Sequence, residues 1–225
     1  MSQYFIHIPS LLKPEELGEI DQKLAGAEFV DGKASATLGA QSVKNNLQMD
    51  AESAELAYIR SIVVQALKTS PLFGVTALPK TIHPFLVSKY TPGNSYGWHV
   101  DSPLMGEPPL RTDLAMTVFL SNPDDYQGGE LLIQTDAGTS MFKPTKGDAV
   151  LYSCQYLHCV NQVTDGTRFA AVTWIQSNVK NPEQRQILFQ LNQIHAVLHN
   201  REPAAPETML LLQTHANLFR MWSEA

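Results

Sequence analysis

Residues 148–177 read DAVLYSCQYLHCVNQVTDGTRFAAVTWIQS. Three runs rich in valine, alanine and aromatics are parted only by short polar stretches and the turn TDGT, with no space for a helix between them. Short runs of this composition at this spacing are strands of an antiparallel sandwich or barrel. The same texture reaches back to about residue 82. FLVSKY, LAMTVFLS and GELLIQT are separated by TPGN, NPDDYQGG and TDAGT. The core is therefore expected to be mainly β, with helices only at its flanks.

The flanks carry the other period. KPEELGEIDQKLAG has Pro14 at a first-turn position and Gly26 just past the last periodic residue, so it reads as a helix. AESAELAYIRSIVVQALKT, residues 51–69, places Leu56, Ile59, Val63, Ala66 and Leu67 at helical spacing. Between them, residues 31–48 are small, polar and aperiodic and read as a loop, while YFIHIPSLL reads as a short opening strand. After residue 178, PEQRQILFQLNQIHAVLHN and PETMLLLQTHANLFRMW each begin with Pro-Glu and are parted by REPAA, an appended αα-hairpin. The expected organisation is one β domain with N-terminal helical support over residues 1–178 and a helical extension over 179–225. The extension is expected to cover the core or to form a homo-oligomer contact through its leucines and Trp222.

Composition narrows the function. The net charge is −6 and the 16 lysines and arginines form no cluster, which argues against nucleic acid as a partner. MSQYFIHIPSLL has neither a basic start nor a small-residue cleavage site, and no apolar run is long enough for a membrane span. Cys154 and Cys159 are expected to be free thiols of a reducing compartment. The expectation is a cytoplasmic protein without a membrane partner.

The chemistry sits in YGWHVDSP, residues 96–103. On a strand, side chains two apart share a face, so His99 and Asp101 point the same way. An imidazole and a carboxylate are two parts of the 2-His-1-carboxylate triad, which leaves metal positions open for co-substrate and O2. The third ligand must come from a distant strand. His158 lies in the β-like run YLHCVNQV; His195 and His199 lie at i,i+4 on the C-terminal extension, where Ala196 stands in place of the glutamate a zincin helix would carry. His7, His83 and His215 have no spaced partner, and His158 is preferred.

Arg168 follows the TDGT turn. A two-residue turn would put it on the face opposite His158. A three-residue turn over Thr164, Asp165 and Gly166, with the glycine left-handed in a bulge, would pair Gln162 with Arg168 and bring the arginine onto the histidine's face. An iron oxygenase that draws electrons from 2-oxoglutarate needs a cation for the far carboxylate, and a guanidinium supplies a forked, permanently charged contact.

YTPGNSYGWHVD from Tyr90 to Asp101, GGEL at 128–131, and His158 followed by Arg168 together resemble the prolyl-4-hydroxylase-like branch of the Fe(II)/2-oxoglutarate-dependent dioxygenases. Within it the chain is similar to the bacterial PKHD-type hydroxylases, a likeness that VKNNLQ and the C-terminal helix pair share. The resemblance implies a double-stranded β-helix, or jelly roll, with Fe(II) held by His99, Asp101 and His158. It implies that Arg168 grips 2-oxoglutarate, with Tyr90 on a neighbouring strand offering its hydroxyl to the same carboxylate. It also implies O2 as oxidant, L-ascorbate as reductant, and decarboxylation of 2-oxoglutarate to succinate and CO2 coupled to hydroxylation of a small-molecule or peptidyl substrate. Collagen-type prolyl hydroxylases carry lysine at the position of Arg168, so peptidyl-proline specificity does not transfer. Two rival readings use the same site: a zinc-dependent hydrolase, and a non-catalytic iron-binding jelly-roll module. The loops DSPLMGEPPLRTD and TLGAQSVKNNLQ are candidates for the cavity rim, with Lys44, Asn45 and Asn46 facing substrate.

Overall fold

The computed structural model describes residues 5–35 and 38–224. Tyr4 of the opening strand and Ala36 and Thr37 of the polar stretch lie outside the described residues. Six helices are described: α1 (Pro14–Ala25), α2 (Leu38–Gln41), α3 (Ala54–Thr69), α4 (Pro71–Ala77), α5 (Pro182–Arg201) and α6 (Pro206–Trp222). None of them is long and apolar enough to cross a membrane.

The strands form two facing antiparallel sheets of a jelly roll. The larger runs β1 (Phe5–Ile8), β14 (Ala149–Ser153), β10 (Leu114–Phe119), β17 (Arg168–Ser177), β6 (Leu86–Tyr90), β4 (Leu47–Met49) and β2 (Phe29–Asp31), with β5 (Pro79–Ile82) pairing the far end of β17. The smaller runs β13 (Gly138–Phe142), β12 (Leu131–Thr135), β15 (His158–Val160), β7 (Ser95–His99) and β3 (Lys44–Asn45). Two ribbons complete the roll, β11 (Tyr126–Gly128) with β16 (Val163–Gly166), and β8 (Leu104–Met105) with β9 (Leu110–Arg111).

The larger sheet is covered on both faces, which is why all six residues of β10 are buried. Its outer face packs on the N-terminal helices. Leu56, Ile59 and Val63 of α3 and Ile20 of α1 are fully buried there with Phe85, Val87, Met116 and Ala171. Each such side chain contributes about 1.5–3 kcal/mol on burial, so this layer is the chief fastening of the sheet that carries Arg168. The inner face meets the smaller sheet through Ala115, Phe119, Val150 and Tyr152 against Leu131 and Ile133. The C-terminal hairpin returns to the barrel: Arg185 of α5 donates to the Val179 and Lys180 carbonyls, and Arg111 pairs with Glu224 at 2.5 Å.

Three features differ from the sequence reading. PLFGVTA forms α4, started by Ser70, whose hydroxyl accepts from the Phe73 amide; Gly74 and the brevity of the run hide its period. The stretch read as a loop contains β3 and β4, which pair with β7 of one sheet and β6 of the other and so close the roll's open edge. The TDGT turn does not make a hairpin. Val163–Gly166 pairs with Tyr126–Gly128, whereas Arg168 opens β17, between β6 and β10 in the larger sheet. In this roll the chain leaves one sheet here and crosses to the other, so the pairing of Gln162 with Arg168 does not occur.

Gly166 makes the crossing. Its φ is 74°, and a Cβ added there would lie 2.1 Å from the Asp125 carbonyl oxygen. The left-handed glycine is present as expected, but it serves a crossover. Arg168 gains the cavity by strand alternation instead: Arg168, Val172 and Trp174 line it, while Phe169, Ala171 and Ile175 pack toward the helices. Gly166→Ala should therefore cost about 2 kcal/mol or more, because backbone strain and a backbone clash act together. Urea unfolding should show a lower midpoint at unchanged slope; a loss below about 0.5 kcal/mol would show that the crossing tolerates a side chain.

Candidate active site

His99 ends β7 and Asp101 stands two residues beyond it, with the half-exposed Val100 between them. The antiparallel pairing of β7 and β15 sets His158 directly opposite His99, and their rings lie 4.2 Å apart between centroids. His158 Nε2 is 3.8 Å from Asp101 Oδ1. One ligand atom from each of the three side chains lies within 4.8 Å of the others, the single such cluster among the described residues.

Each imidazole has its tautomer set by the backbone. His99 Nδ1 donates to the Gly97 carbonyl at 2.8 Å and His158 Nδ1 to the Tyr156 carbonyl at 3.1 Å. A carbonyl only accepts, so the proton sits on Nδ1 and the Nε2 lone pair of the neutral ring is free to ligate. Burial, reinforced by the neighbouring His158, pulls the His99 pKa down to about 3 and keeps that ring neutral. Tyr96 stacks on His99 at 3.6 Å, and Tyr152 meets His158 edge-on at 5.1 Å. Asp101 Oδ2 is buried without a hydrogen-bond partner. An orphaned carboxylate oxygen is costly in a protein interior. With two free Nε2 atoms beside it, the donor set fits a divalent cation of the kind bound by a 2-His-1-carboxylate triad.

Arg168 is the largest fully buried side chain, 2% exposed, and its Nε and Nη2 make no hydrogen bond. Its Cζ lies 5.1 Å from the Tyr90 ring centre and 5.5 Å from that of Phe119. The Tyr126 hydroxyl leans toward the guanidinium without forming a bond. A guanidinium sequestered among aromatic rings with its fork unfilled is a group that a carboxylate would complete. GGEL has a part in this. Gly129 is left-handed, at φ 67°, and a Cβ there would fall 3.0 Å from Arg168 Cδ and 2.9 Å from Val163 Cγ2, so the second glycine leaves the arginine stem its space. Tyr90 is not beside His99. It lies in the opposite sheet, directly across from Arg168 in register. Burial raises its pKa, an effect the Arg168 charge opposes, so its hydroxyl is a neutral donor next to the guanidinium.

Both sheets line one cavity of about 780 Å³, counted out to its open mouth. Asp101, Ser102 and Met105 border it, as expected of that loop, and Val100 joins them. Lys44 and Asn46 line it, joined by Gln48, which the sequence reading did not select; Asn45 is exposed and donates to the Gly93 carbonyl. The signal for Gln48 was the alternation Lys44, Asn46, Gln48. His195 and His199 stack on α5 with centroids 5.6 Å apart and take no part in the metal cluster. Cys154 and Cys159 are both buried free thiols. Burial and then the Asp101 carboxylate raise the pKa of Cys154, keeping it a thiol beside the triad.

Comparison with known proteins bears on the family and the fold. Residues 85–176 match the model of the 2OG-Fe(II) oxygenase superfamily. A PKHD-type hydroxylase of Acaryochloris marina is 42% identical over 96% of this chain and 98% of its own length. The PKHD-type hydroxylase YbiX of Escherichia coli is 38% identical over 97% of this chain and 98% of its own. Among solved structures, a Trichoplax adhaerens prolyl hydroxylase in complex with a hypoxia inducible factor peptide fragment has the same fold. It superposes with a TM-score of 0.56 at 17% identity, over 83% of this chain and 87% of that one. With two-fifths of its residues shared along nearly the whole length of such relatives, the chain belongs to the PKHD-type hydroxylases, dioxygenases that depend on Fe(II) and 2-oxoglutarate.

Proposed function

We propose that the protein hydroxylates a C–H bond of a small-molecule or peptidyl substrate, with His99, Asp101 and His158 holding Fe(II) and with Arg168 and Tyr90 holding 2-oxoglutarate. The carrying observation is that a converging metal triad and an unfilled guanidinium fork face the same cavity. Bound there, iron and its co-substrate supply O2 activation coupled to oxidative decarboxylation of 2-oxoglutarate to succinate and CO2. The chain's own residues do the rest. His99 and His158 present Nε2 in a tautomer fixed before any ligand arrives. Asp101 adds the one negative charge, and its burial strengthens its attraction for a cation. Arg168 and Tyr90 fix the end of the co-substrate remote from the metal, which orients its reactive end. Ala115, Leu131, Val160 and Val172 make the walls apolar and exclude water. A reductant such as L-ascorbate completes this reading, as does a cytoplasmic setting without nucleic acid as a partner.

Anaerobic titration with Fe(II) and then 2-oxoglutarate should raise a weak visible charge-transfer band, and admission of O2 should yield succinate. A zinc hydrolase would give neither, and an inert iron module would give the band without succinate. His158→Ala and Asp101→Ala should abolish the band while far-ultraviolet circular dichroism stays native, because the sheet packing does not depend on the triad. His195→Ala and His199→Ala should leave the band unchanged, and its loss in either variant would place the third ligand on α5.

Arg168→Gln should weaken 2-oxoglutarate far more than Fe(II). Truncating one partner of a buried charge pair costs about 2–5 kcal/mol, which is roughly 30- to several-thousand-fold in affinity. Arg168→Lys should recover part of this, since an ammonium lacks the fork. Pyruvate, with no far carboxylate, should bind both variants as it binds the native protein. A 2-oxoglutarate affinity within about threefold of native in Arg168→Gln would locate the clamp elsewhere.

A further inference from the structure

The strip that closes the roll turns polar residues inward. Lys44, Asn46 and Gln48 alternate along β3 and β4 and all three line the cavity, at 5%, 3% and 6% exposure. Gln48 is held: its Oε1 accepts from the Ser35 hydroxyl at 2.6 Å. Lys44 Nζ donates to the same hydroxyl at 2.8 Å and lies 5.1 Å from the centre of the Tyr96 ring, the ring that stacks on His99. No carboxylate among the described residues lies within ion-pair distance of it. Asn46 leans toward the Tyr90 hydroxyl, yet neither end of its amide forms a hydrogen bond. A buried ammonium with one hydroxyl for company, beside a buried amide with no partner, is an arrangement that a ligand completes.

We propose that Lys44, with Asn46 beside it, anchors an anionic group of the substrate to be hydroxylated, a carboxylate in the first instance. The proposal rests on the reading of the site given above. The charge balance of the filled cavity favours it. Iron(II), Lys44 and Arg168 face one protein carboxylate, Asp101, and the two carboxylates of 2-oxoglutarate leave a single positive charge over. Arg168 is committed to the co-substrate by its place opposite Tyr90, on the larger sheet. Lys44 stands on the smaller sheet, beyond Tyr96, on the strand next to the one that carries His99. A substrate that places its anionic end on Lys44 lies across the Tyr96 ring toward the metal. Burial pulls the Lys44 pKa down to about 8, against the attraction of Asp101 and Asp31, so the ammonium remains the main form at neutral pH.

The test uses matched ligands. N-acetyl amino acids and their amides are titrated into the full-length protein loaded with Mn(II) in place of iron, with and without 2-oxoglutarate, and binding is read by tryptophan fluorescence and ligand NMR. The native protein should bind the acids at least about tenfold more tightly than the amides, a difference of about 1.4 kcal/mol. In Lys44→Gln the preference should fall to within about twofold, and Lys44→Arg should restore part of it, whereas a merely structural lysine would not move this ratio. The 2-oxoglutarate affinity of Lys44→Gln should stay within about threefold of native. Three results overturn the proposal. They are equal affinity for acids and amides, no measurable binding of any acid up to about 10 mM, and a preference that survives Lys44→Gln. A loss of 2-oxoglutarate affinity in Lys44→Gln as large as that in Arg168→Gln overturns it also, by assigning the lysine to the co-substrate. Failure of the native protein to bind 2-oxoglutarate at all would instead strike the function proposed above, while leaving the acid preference to be read on its own.

Discussion

The pairing of Ser95–His99 with His158–Val160 is the contact on which the site depends. It is a short antiparallel ladder with a register shift, and it brings together two histidines far apart in sequence. Because Asp101 follows His99 by two residues, fixing one ladder position places all three ligands. The backbone then does the fine work, since the Gly97 and Tyr156 carbonyls each take an Nδ1 proton and aim the other nitrogen. Hydrogen bonds of this outer kind orient a ligand and hold its tautomer, so the ligating geometry is already a property of the fold.

The same cavity is electrostatically incomplete. Among the described residues, Asp101 Oδ2, two nitrogens of Arg168 and the Asn46 amide are buried without hydrogen-bond partners, and Lys44 has a single hydroxyl and the Tyr96 ring. Each group left so costs on the order of 1–3 kcal/mol, more where it is charged. The helix-backed larger sheet bears that cost, with its fully buried Leu56, Ile59, Val63 and Phe85. A fold that carries unmet polar groups in its centre is stabilised by whatever meets them, by an amount that grows with ligand concentration over Kd. On the function proposed above, stability and activity would be coupled at one place, because the cation, the co-substrate and the substrate would each meet a group that the chain leaves unpaired.

How far the sequence shows this depends on which constraint wrote each residue. Where burial alone acted, the period is clean: Leu56, Ile59, Val63, Ala66 and Leu67 are all buried on α3 as their spacing indicates. The strands with one apolar face, and the helix pair with its Pro-Glu starts, were legible for the same reason. That His99, Asp101, His158 and Arg168 would face one cavity was legible because the chemistry expected of them demands particular side chains in a particular order. The route to Arg168 was not. TDGT has the composition of a hairpin turn, and whether the next strand folds back or crosses to the other sheet is decided by partners far along the chain, Tyr126 for Gly166 and Tyr90 for Arg168. Local turn chemistry specified the left-handed glycine and left its use open.

Residues 44–48 failed to read as strands for a reason that bears on function. A strand is recognised by apolar residues on the face it buries, and here the buried face is Lys44, Asn46 and Gln48. Such a segment looks like a solvated loop, because the feature that identifies loops is polarity and not exposure. Leu47 and Met49 alternate with these residues on β4, and on the inward side the Ser35 hydroxyl is the partner of both Lys44 and Gln48. Their inward placement, against the cavity that His99, Asp101, His158 and Arg168 also line, is the ground on which the substrate anchor is proposed. The part of the sequence least legible as structure is, on the proposal above, the part that meets the substrate.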